Sequence, residues 1–510
     1  MRYELIAAVD LGSNSFRLQV GRVVDDQIYP LDALKEPVRL ASGLSPDKIL
    51  DQAAQERAIA ALRLFGERLR GFAPDAVRAV ATNTLRVAKN APELMPRLEE
   101  ALGFPIEIIA GREEARLIYI GAAHSLPPAE HKRLVFDIGG GSTEFIIGRR
   151  FEPQLLESLY MGCVSYTVRF FPDGKVDKKR LREAEVAAGK ELQLIAHDYQ
   201  RLGWDEAVGS SGTARAIADV LELNQLNPGG VTGITREGLE KLRSILLKAG
   251  SAEAMPLEGL RNDRTPVLSG GIAIMSAIFE TLGLERITYG DGALRLGVLY
   301  DLLGRFHHHD MRDATVASFM RRYQVDIWQA QRVEQTALEI FGQLSGSRRG
   351  AEEGDSDIHA HFLRWAAKLH EIGISIAHNG YHKHGAYILT FADMPGFSKK
   401  DQGRLALLVL GHRGKLDKVA ALPRGDVNWL LILSLRLAVL FHRSRSDQGR
   451  PPYRIAMGEK GVSLELPAEW LAANPLTAAA FADESLAWHR VGLDFRLKRI
   501  NPAKAGKQAA

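Results

Sequence analysis

The sequence predicts an α/β fold of two repeated lobes with a ligand cleft between them, followed by an all-α region and a small α+β segment. Three observations carry this. The phrase VDLGSNSFRLQVGR (residues 9–22) recurs as FDIGGGSTEFIIGRR (136–150), aligning Asp10 with Asp137, Gly12 with Gly139, Ser15 with Ser142, Gly21 with Gly148 and Arg22 with Arg149. Strand and helix patterns alternate after each copy. Beyond His307 the strand patterns give way to helices. Copies 127 residues apart are too distant for solenoid repeats of about 20–50 residues and imply a duplicated domain. A chain of 510 residues also exceeds what one core holds, about 250–300 residues.

Each copy reads as an apolar strand, an acidic residue, a small-residue turn and a second alternating strand: a β-hairpin built around an anion. Glycine and small polar residues let the backbone approach an oxyanion so that successive N–H groups point at it. The hydroxyls of Ser13, Ser15, Ser142 and Thr143 add donors. Asp10 and Asp137 can face a phosphate only if a hard cation such as Mg²⁺ stands between the charges.

After the first hairpin, residues 51–71 space apolar side chains as a helix that stops at Gly71. The strand AVRAVAT (76–82) delivers Thr82, Asn83, Thr84 and Arg86 at its C-terminal end, where open α/β sheets bind ligands. The strand PIEIIAG ends at Gly111 and opens a helix with Glu113 and Glu114. These two glutamates lie roughly 100° apart around the helix, so they do not both face the cleft. Glu114 shares a face with Leu117 and Ile118 and is taken as the inward one. In the second lobe a long helix spans about 178–202. Two small-residue turns follow at expected strand–helix junctions, VGSSGTARAIA from Val208 and VLSGGIAIM from Val267. Each is either an anion-accepting helix N-terminus or a tight turn. The lobe ends near YGDGALRLGVLYDLL (289–303).

The expected boundaries are a first lobe at 1–124, a second at 125–305, a helical region at 306–444 and an α+β segment at 445–510. Within these, SGSRRGAEEGDSD (345–357) reads as an exposed loop, 429–441 as a buried helix, GVSLEL and LDFRLKRI as strands, and NPAKAGKQAA as a disordered tail.

Composition is ordinary for a globular protein, 46% hydrophobic and 25% charged. A single cysteine, Cys163, excludes an intramolecular disulfide and fits a reducing compartment. The N-terminus shows no signal-peptide pattern and no apolar run long enough to span a bilayer was found, so a cytoplasmic protein without membrane insertion is expected. Net charge is +4, but residues 401–510 hold 17 Lys and Arg against 10 Asp and Glu. That surplus is either a solvated surface or a track for a polyanion, the track being centred on Arg443, Arg445, Arg450 and Arg454. Walker A, GxGxxG and zinc-finger patterns are absent, and no nucleic-acid partner is expected.

Together VDLGSNSF, TNTLR (82–86), GREEARLIY (111–119), DIGGGSTE (137–144), MGCVS (161–165), GSSGT (209–213) and DGALRLGVLY (291–300) resemble the exopolyphosphatase and guanosine pentaphosphate phosphohydrolase family, within the sugar kinase, Hsp70 and actin superfamily. The resemblance covers essentially the whole chain. It implies two actin-like lobes and Mg²⁺-assisted hydrolysis of a terminal phosphoanhydride in the cleft between them. It further implies Glu114 as catalytic base and Asp137, Glu144 and Asp10 as metal ligands. Phosphate would be held by Ser13, Asn14, Ser15, Thr82, Arg86, Gly139, Gly140, Gly141, Ser142, Gly212 and Thr213. By residue type alone, Glu144 is equally a solvent-facing strand carboxylate, and Arg86 is more often a surface ion pair than a phosphate ligand.

Gly141 and Asp291 look more like the exopolyphosphatase branch and the basic C-terminal half suits a long polyanion, so the leading expectation is processive release of orthophosphate from inorganic polyphosphate; a homodimer is expected as well. The alternative enzyme removes the 5′ γ-phosphate of guanosine pentaphosphate (pppGpp), leaving ppGpp, and a third possibility is a non-catalytic alarmone-binding regulator. An ATP-dependent kinase is disfavoured, because no acceptor-binding insertion is recognisable. AAKLHEIG (366–373) and HNGYHKHGAYIL (from His378) resemble an HD-type phosphohydrolase domain, with Glu371 after His370 where that pattern has Asp. His378, His382 and His384 are read as ordinary polar packing in an architectural domain rather than as a metal site.

Overall fold

The computed structural model describes residues 3–24, 27–127, 130–260, 264–290, 294–306, 310–345, 353–445, 450–458 and 461–500. Asp291, the tail 501–510 and the tip 346–352 of the expected polar loop lie outside them. The chain forms two units: Met1–Met311 with Pro395–Lys399, and Arg312–Met394 with Lys400–Ala510.

The first unit starts as an antiparallel meander of β1 (Leu5–Leu11), β2 (Phe16–Val24) and β3 (Gln27–Glu36), in which β1 is buried on both faces and the first half of β2 alternates in burial. Next comes α1 (Gln52–Arg68), whose N-cap Asp51 accepts the Ala54 N–H at 2.7 Å. The strand β4 (Val77–Ala81) then pairs parallel with β1. Short α2 (Asn83–Val87), α3 (Ala91–Leu102), β5 (Ile106–Ile108) and α4 (Gly111–Ser125) complete the lobe around a sheet ordered β3-β2-β1-β4-β5.

The second lobe repeats the plan with β6 (Lys132–Ile138), β7 (Thr143–Arg149) and β8 (Glu152–Leu159). It continues through α5 (Cys163–Phe170), α6 (Lys178–Leu202), β9 (Glu206–Gly209), α7 (Gly212–Leu223), β10 (Ile234–Thr235) and α8 (Arg236–Ala249). It closes with α9 (Thr265–Leu282), β11 (Arg286–Tyr289) and α10 (Leu294–Phe306). The sheet order β10-β11-β9-β6-β7-β8 contains the first lobe's order as β8-β7-β6-β9-β11. The repeat extends to irregularities. Strand register shifts at Val20/Gly21 and again at Ile147/Gly148, the aligned glycines, where a Cβ would lie 2.5 Å from Ile28 Cγ2 and 2.3 Å from the Tyr119 ring.

One expected turn is absent. VLSGGIAIM lies within α9, and its glycines serve helix packing: a Cβ on Gly270 would lie 2.5 Å from the Cys163 carbonyl oxygen and one on Gly271 2.5 Å from Thr213 Cγ2. This helix is long and apolar enough to cross a membrane, with mean hydropathy 1.4, yet 67% of it is buried in the lobe's core.

The second unit holds α11 (Met311–Arg322), α12 (Ile327–Ser345), α13 (Glu353–Leu369), α14 (Tyr381–Phe391), α15 (Lys399–Gly411) and α16 (Asn428–Phe441). Residues 353–357, expected in a loop, are instead the start of α13. Strands β12 (Arg454–Gly458), β13 (Gly461–Pro467) and β14 (Phe495–Ile500) form a three-stranded sheet, with α17 (Ala468–Ala473) and α18 (Pro475–Arg490) between β13 and β14. Arg436, the charge that interrupts the apolar α16, is buried because Glu484 of α18 pairs with it and the carbonyls of Gly411 and Gly414 accept from it.

Candidate active site

The two repeated turns meet. A Cβ on Gly140 would lie 2.9 Å from Ser13 Cβ, and one on Gly141 would lie 2.6 Å from Asn83 Oδ1, so only glycine lets the second turn lie against the first. Thr84 Oγ1 donates to Ser13 Oγ at 2.7 Å, tying α2 to the first turn. Behind the second turn, the first amides of α5 bond its carbonyls: Cys163 N–H to Gly139 O at 2.9 Å and Val164 N–H to Gly140 O at 3.0 Å. In a trans peptide the N–H opposes the C=O, so the amides of Gly140 and Gly141 point away from α5. These are the donors an oxyanion needs.

The resulting cleft lies at the C-terminal ends of the parallel strands β1, β4, β6 and β9, the edge where such sheets bind ligands. A cavity of about 120 Å³ is lined by Asp10, Gly12, Ser13, Asn14, Ser15, Thr82, Glu114, Asp137, Gly139, Gly140, Ser142 and Gly212. Pockets that engulf drug-sized ligands span roughly 300–1,000 Å³, so this one is sized for a small group rather than for a whole nucleotide.

Four residues expected at the cleft do not line it. Thr213 Oγ1 donates to the Ile138 carbonyl at 3.0 Å and holds the strand end, and Gly141 packs on Asn83. Arg86 donates to Glu114 Oε2 at 3.1 Å and to the Ile109 carbonyl at 2.8 Å. Glu144 is buried behind the cleft, directly across the β6–β7 ladder from Asp137, and accepts the Ser158 hydroxyl at 2.8 Å. It is therefore not a solvent-facing strand carboxylate.

Three arginines were not anticipated. Arg17, Arg264 and Arg295 line the same cavity. Burial, followed by Arg295, pushes the Arg17 guanidinium down to about 10. A signal for Arg17 exists in the repeat: it follows Asp10 by seven residues as Glu144 follows Asp137, and each pair is cross-strand matched. Duplication has thus placed a cation beside one aspartate and a carboxylate beside the other. Asn83 is a further candidate, because its Nδ2 is buried with no acceptor beside the two turns.

The carboxylates are correspondingly perturbed. Burial raises Asp10, with Arg295 and Arg17 opposing. Burial, then Glu114 and Asp10, push Asp137 up to about 7. Glu114 is raised by burial and pulled back by Arg86, while Glu144 is raised well above the usual range by burial, Glu114 and Asp137. Among the described residues no three His, Cys, Asp or Glu converge as a ready-made metal cage. The donor set nevertheless fits Mg²⁺ in kind, since that ion takes hard oxygen ligands, commonly one or two carboxylates completed by substrate phosphates and water. Asp137 and Asp10 are the carboxylates that would hold it, with Glu144 behind.

In the second unit, His370 and His412 lie 5.4 Å apart between ring centroids, and His382 lies 6.2 Å from His412. A divalent cation there would meet Lys418, Arg413, Lys383 and Arg436, the charges that, after burial, push His382 down to about 4. Glu371 is taken by Arg445. His378 stands near Tyr381, outside the trio.

A profile of the Ppx/GppA phosphatase family matches residues 19–306, and a profile of Ppx/GppA phosphatase domain III matches residues 311–485. The chain is 39% identical over 498 residues to the guanosine-5′-triphosphate,3′-diphosphate pyrophosphatase of Aeromonas hydrophila, covering 97% of this chain and 98% of that protein. It is 38% identical over 497 residues to the protein of the same name from Aeromonas salmonicida, with 97% and 98% covered. Among solved structures it resembles the Aquifex aeolicus Ppx/GppA family member (28% identity, TM-score 0.50, 60% of this chain and 99% of that one). It also shares the fold of a Cytophaga hutchinsonii exopolyphosphatase (24% identity, TM-score 0.53, 59% and 98% covered). The two-lobed α/β class is the actin-like fold expected. Matched along nearly its whole length by relatives of one name and by both profiles, the chain belongs to the Ppx/GppA phosphatase family.

Proposed function

We propose that this protein hydrolyses the terminal phosphoanhydride of guanosine-5′-triphosphate,3′-diphosphate, releasing orthophosphate. The observation that carries a phosphoanhydride hydrolase is the convergence on one small cavity of two amide-rich turns, three arginines and the buried carboxyl of Glu114. The full-length relatives named for that nucleotide favour it over inorganic polyphosphate, the leading expectation from the motifs.

In this reading the terminal phosphoryl group sits between the Ser13–Ser15 and Gly139–Ser142 turns, with Arg17, Arg264 and Arg295 neutralising its oxygens. Phosphoryl transfer of this kind is accelerated chiefly by positioning and charge stabilisation. Glu114 holds the attacking water and receives its proton at a carboxylate oxygen, a task suited to a carboxyl raised by burial. Mg²⁺, when bound, would screen the phosphate oxygens from Asp10 and Asp137.

Polyphosphate remains the second reading, supported by the shared chemistry and by the basic composition of residues 401–510. Two of its expected track residues are engaged within their own unit, Arg445 with Glu371 and Asp326 and Arg450 with Glu339. Orthophosphate release from both substrates, measured side by side with and without Mg²⁺, decides between them. A kcat/KM for polyphosphate above that for the nucleotide reverses the preference, and release from neither sinks the hydrolase reading.

A further inference from the structure

Glu113 and Glu114 both lie in the first turn of α4 and both are buried, at 3% and 7% exposure, so the expectation that only one faces inward captures the cleft but not the core. Glu113 accepts Arg116 Nε and Nη2 at 2.8 and 2.7 Å. Arg116 Nη2 also donates to Asp301 Oδ1 at 2.6 Å, and Arg78 Nη1 reaches Asp301 Oδ2 at 2.6 Å. The Gly396 N–H donates to Glu113 Oε2 at 2.9 Å, presented by a backbone with φ of +85° and followed by the buried Phe397.

Such a cluster is a poor source of stability, because apolar packing of equal volume commonly does as well. Arg116 Nη1 is buried with no acceptor, so the arrangement is not optimised for satisfaction either. What it does hold is angle. Arg78 lies four residues before Thr82 on β4, Glu113 one before Glu114 on α4, and Asp301 six after Arg295 on α10. Each of these three elements delivers a cleft residue. The helices α4 and α10 also touch through backbone, since a Cβ on Gly297 would sit 1.7 Å from the Leu117 carbonyl oxygen. A roll of α4 by roughly 20° would carry a group about 5–6 Å from its axis through about 2 Å. That displacement would break the 3.1 Å Arg86–Glu114 contact.

We propose that Glu113 is a positioning residue for the reaction: with Arg116, Arg78, Asp301 and the Gly396 N–H it sets the roll of α4 that aims Glu114 into the cleft. The inference rests on the hydrolase reading and deepens it, because it assigns adjacent glutamates to aiming and to chemistry. It also makes Pro395–Lys399, five residues the chain contributes to the first unit from far along the sequence, part of that aiming device.

The test uses full-length Glu113→Gln and Asp301→Asn, assayed well below their melting temperatures. Glu113→Gln keeps an acceptor for Gly396, and Asp301→Asn leaves both glutamates in place. Each should lower kcat by about 10- to 100-fold with KM changed less than threefold, as expected when a reacting group is displaced by an ångström or so. The Glu114 carboxyl, followed by ¹³C NMR and assigned by its loss in Glu114→Gln, should titrate at higher pH in both variants, since loosening the Arg86 contact removes what holds it down. A merely structural role would lower the melting temperature and leave that titration where it is. Folded variants with unchanged kcat and unchanged Glu114 titration overturn the proposal, and so does a kcat loss that only tracks the folded fraction. If Glu113→Gln fails to fold, the same outcomes in Asp301→Asn decide. The titration needs no substrate, so a wild-type protein that releases no phosphate defeats the proposed function while this inference is still judged by Glu114.

Discussion

Glu114 illustrates how far a single side chain's chemistry departs from its free value. An ordinary glutamate ionises at about 4.3, whereas burial raises this one and Arg86 partly restores it. Glu114→Gln should therefore lower kcat by roughly 10²–10⁴-fold while a slowly hydrolysed nucleotide still binds, as equilibrium binding would show. Asp137 supports a pH prediction. Its folded value of about 7 lies above the unfolded 3.8, so the folded state holds the extra proton. That contribution is fully present below pH about 4 and is lost as pH rises through 7. Metal-free protein should thus melt at lower temperature at pH 8 than at pH 5, and Mg²⁺ should raise the melting temperature more at pH 8. Asp137→Asn should flatten both trends, and a wild-type melting temperature indifferent to pH and Mg²⁺ would remove the metal role from this residue.

At the scale of elements, glycine decides how closely backbones approach. Those at 21 and 148 were visible as repeat positions, but their task, opening a bulge beneath a neighbouring side chain, appears only with the neighbour in place. The pair at 270 and 271 was misread as a turn because small residues signal either a turn or a helix face crossed by another helix, and local sequence does not separate the two. The closest approach is at Gly297. Gly297→Ala should force α10 from α4 at a cost of about 1–3 kcal/mol, the usual range for overpacking, and should lower kcat beyond what the lost stability explains. Denaturant melts paired with steady-state assays check both, and a kcat unchanged in the folded variant would free the α4–α10 contact from any part in catalysis.

For the whole chain, the first unit is not contiguous. Pro395–Lys399 belongs to it, with Phe397 and Ser398 each 1% exposed. A chain ending at Met311 loses the Gly396 N–H that Glu113 accepts, so it should be less stable than the same unit in the full protein by about 1.5–3 kcal/mol, the usual worth of a hydrogen bond to a charged group. Hydrogen exchange at α4 in the two proteins measures this, and equal protection would show that the inserted segment adds nothing. By itself the sequence determined what local rules govern: the duplicated hairpins with their small-residue turns, the helix at 178–202 and the buried helix at 429–441, because hydrogen-bond geometry and side-chain period are properties of neighbouring residues. Tertiary structure alone decided which charges meet. Arg17, Arg264 and Arg295 lie up to 278 residues apart, Glu113 finds its donor at Gly396, and Arg445 and Arg450 are already paired, because burial and Coulomb interaction depend on distance in space, which chain separation does not encode.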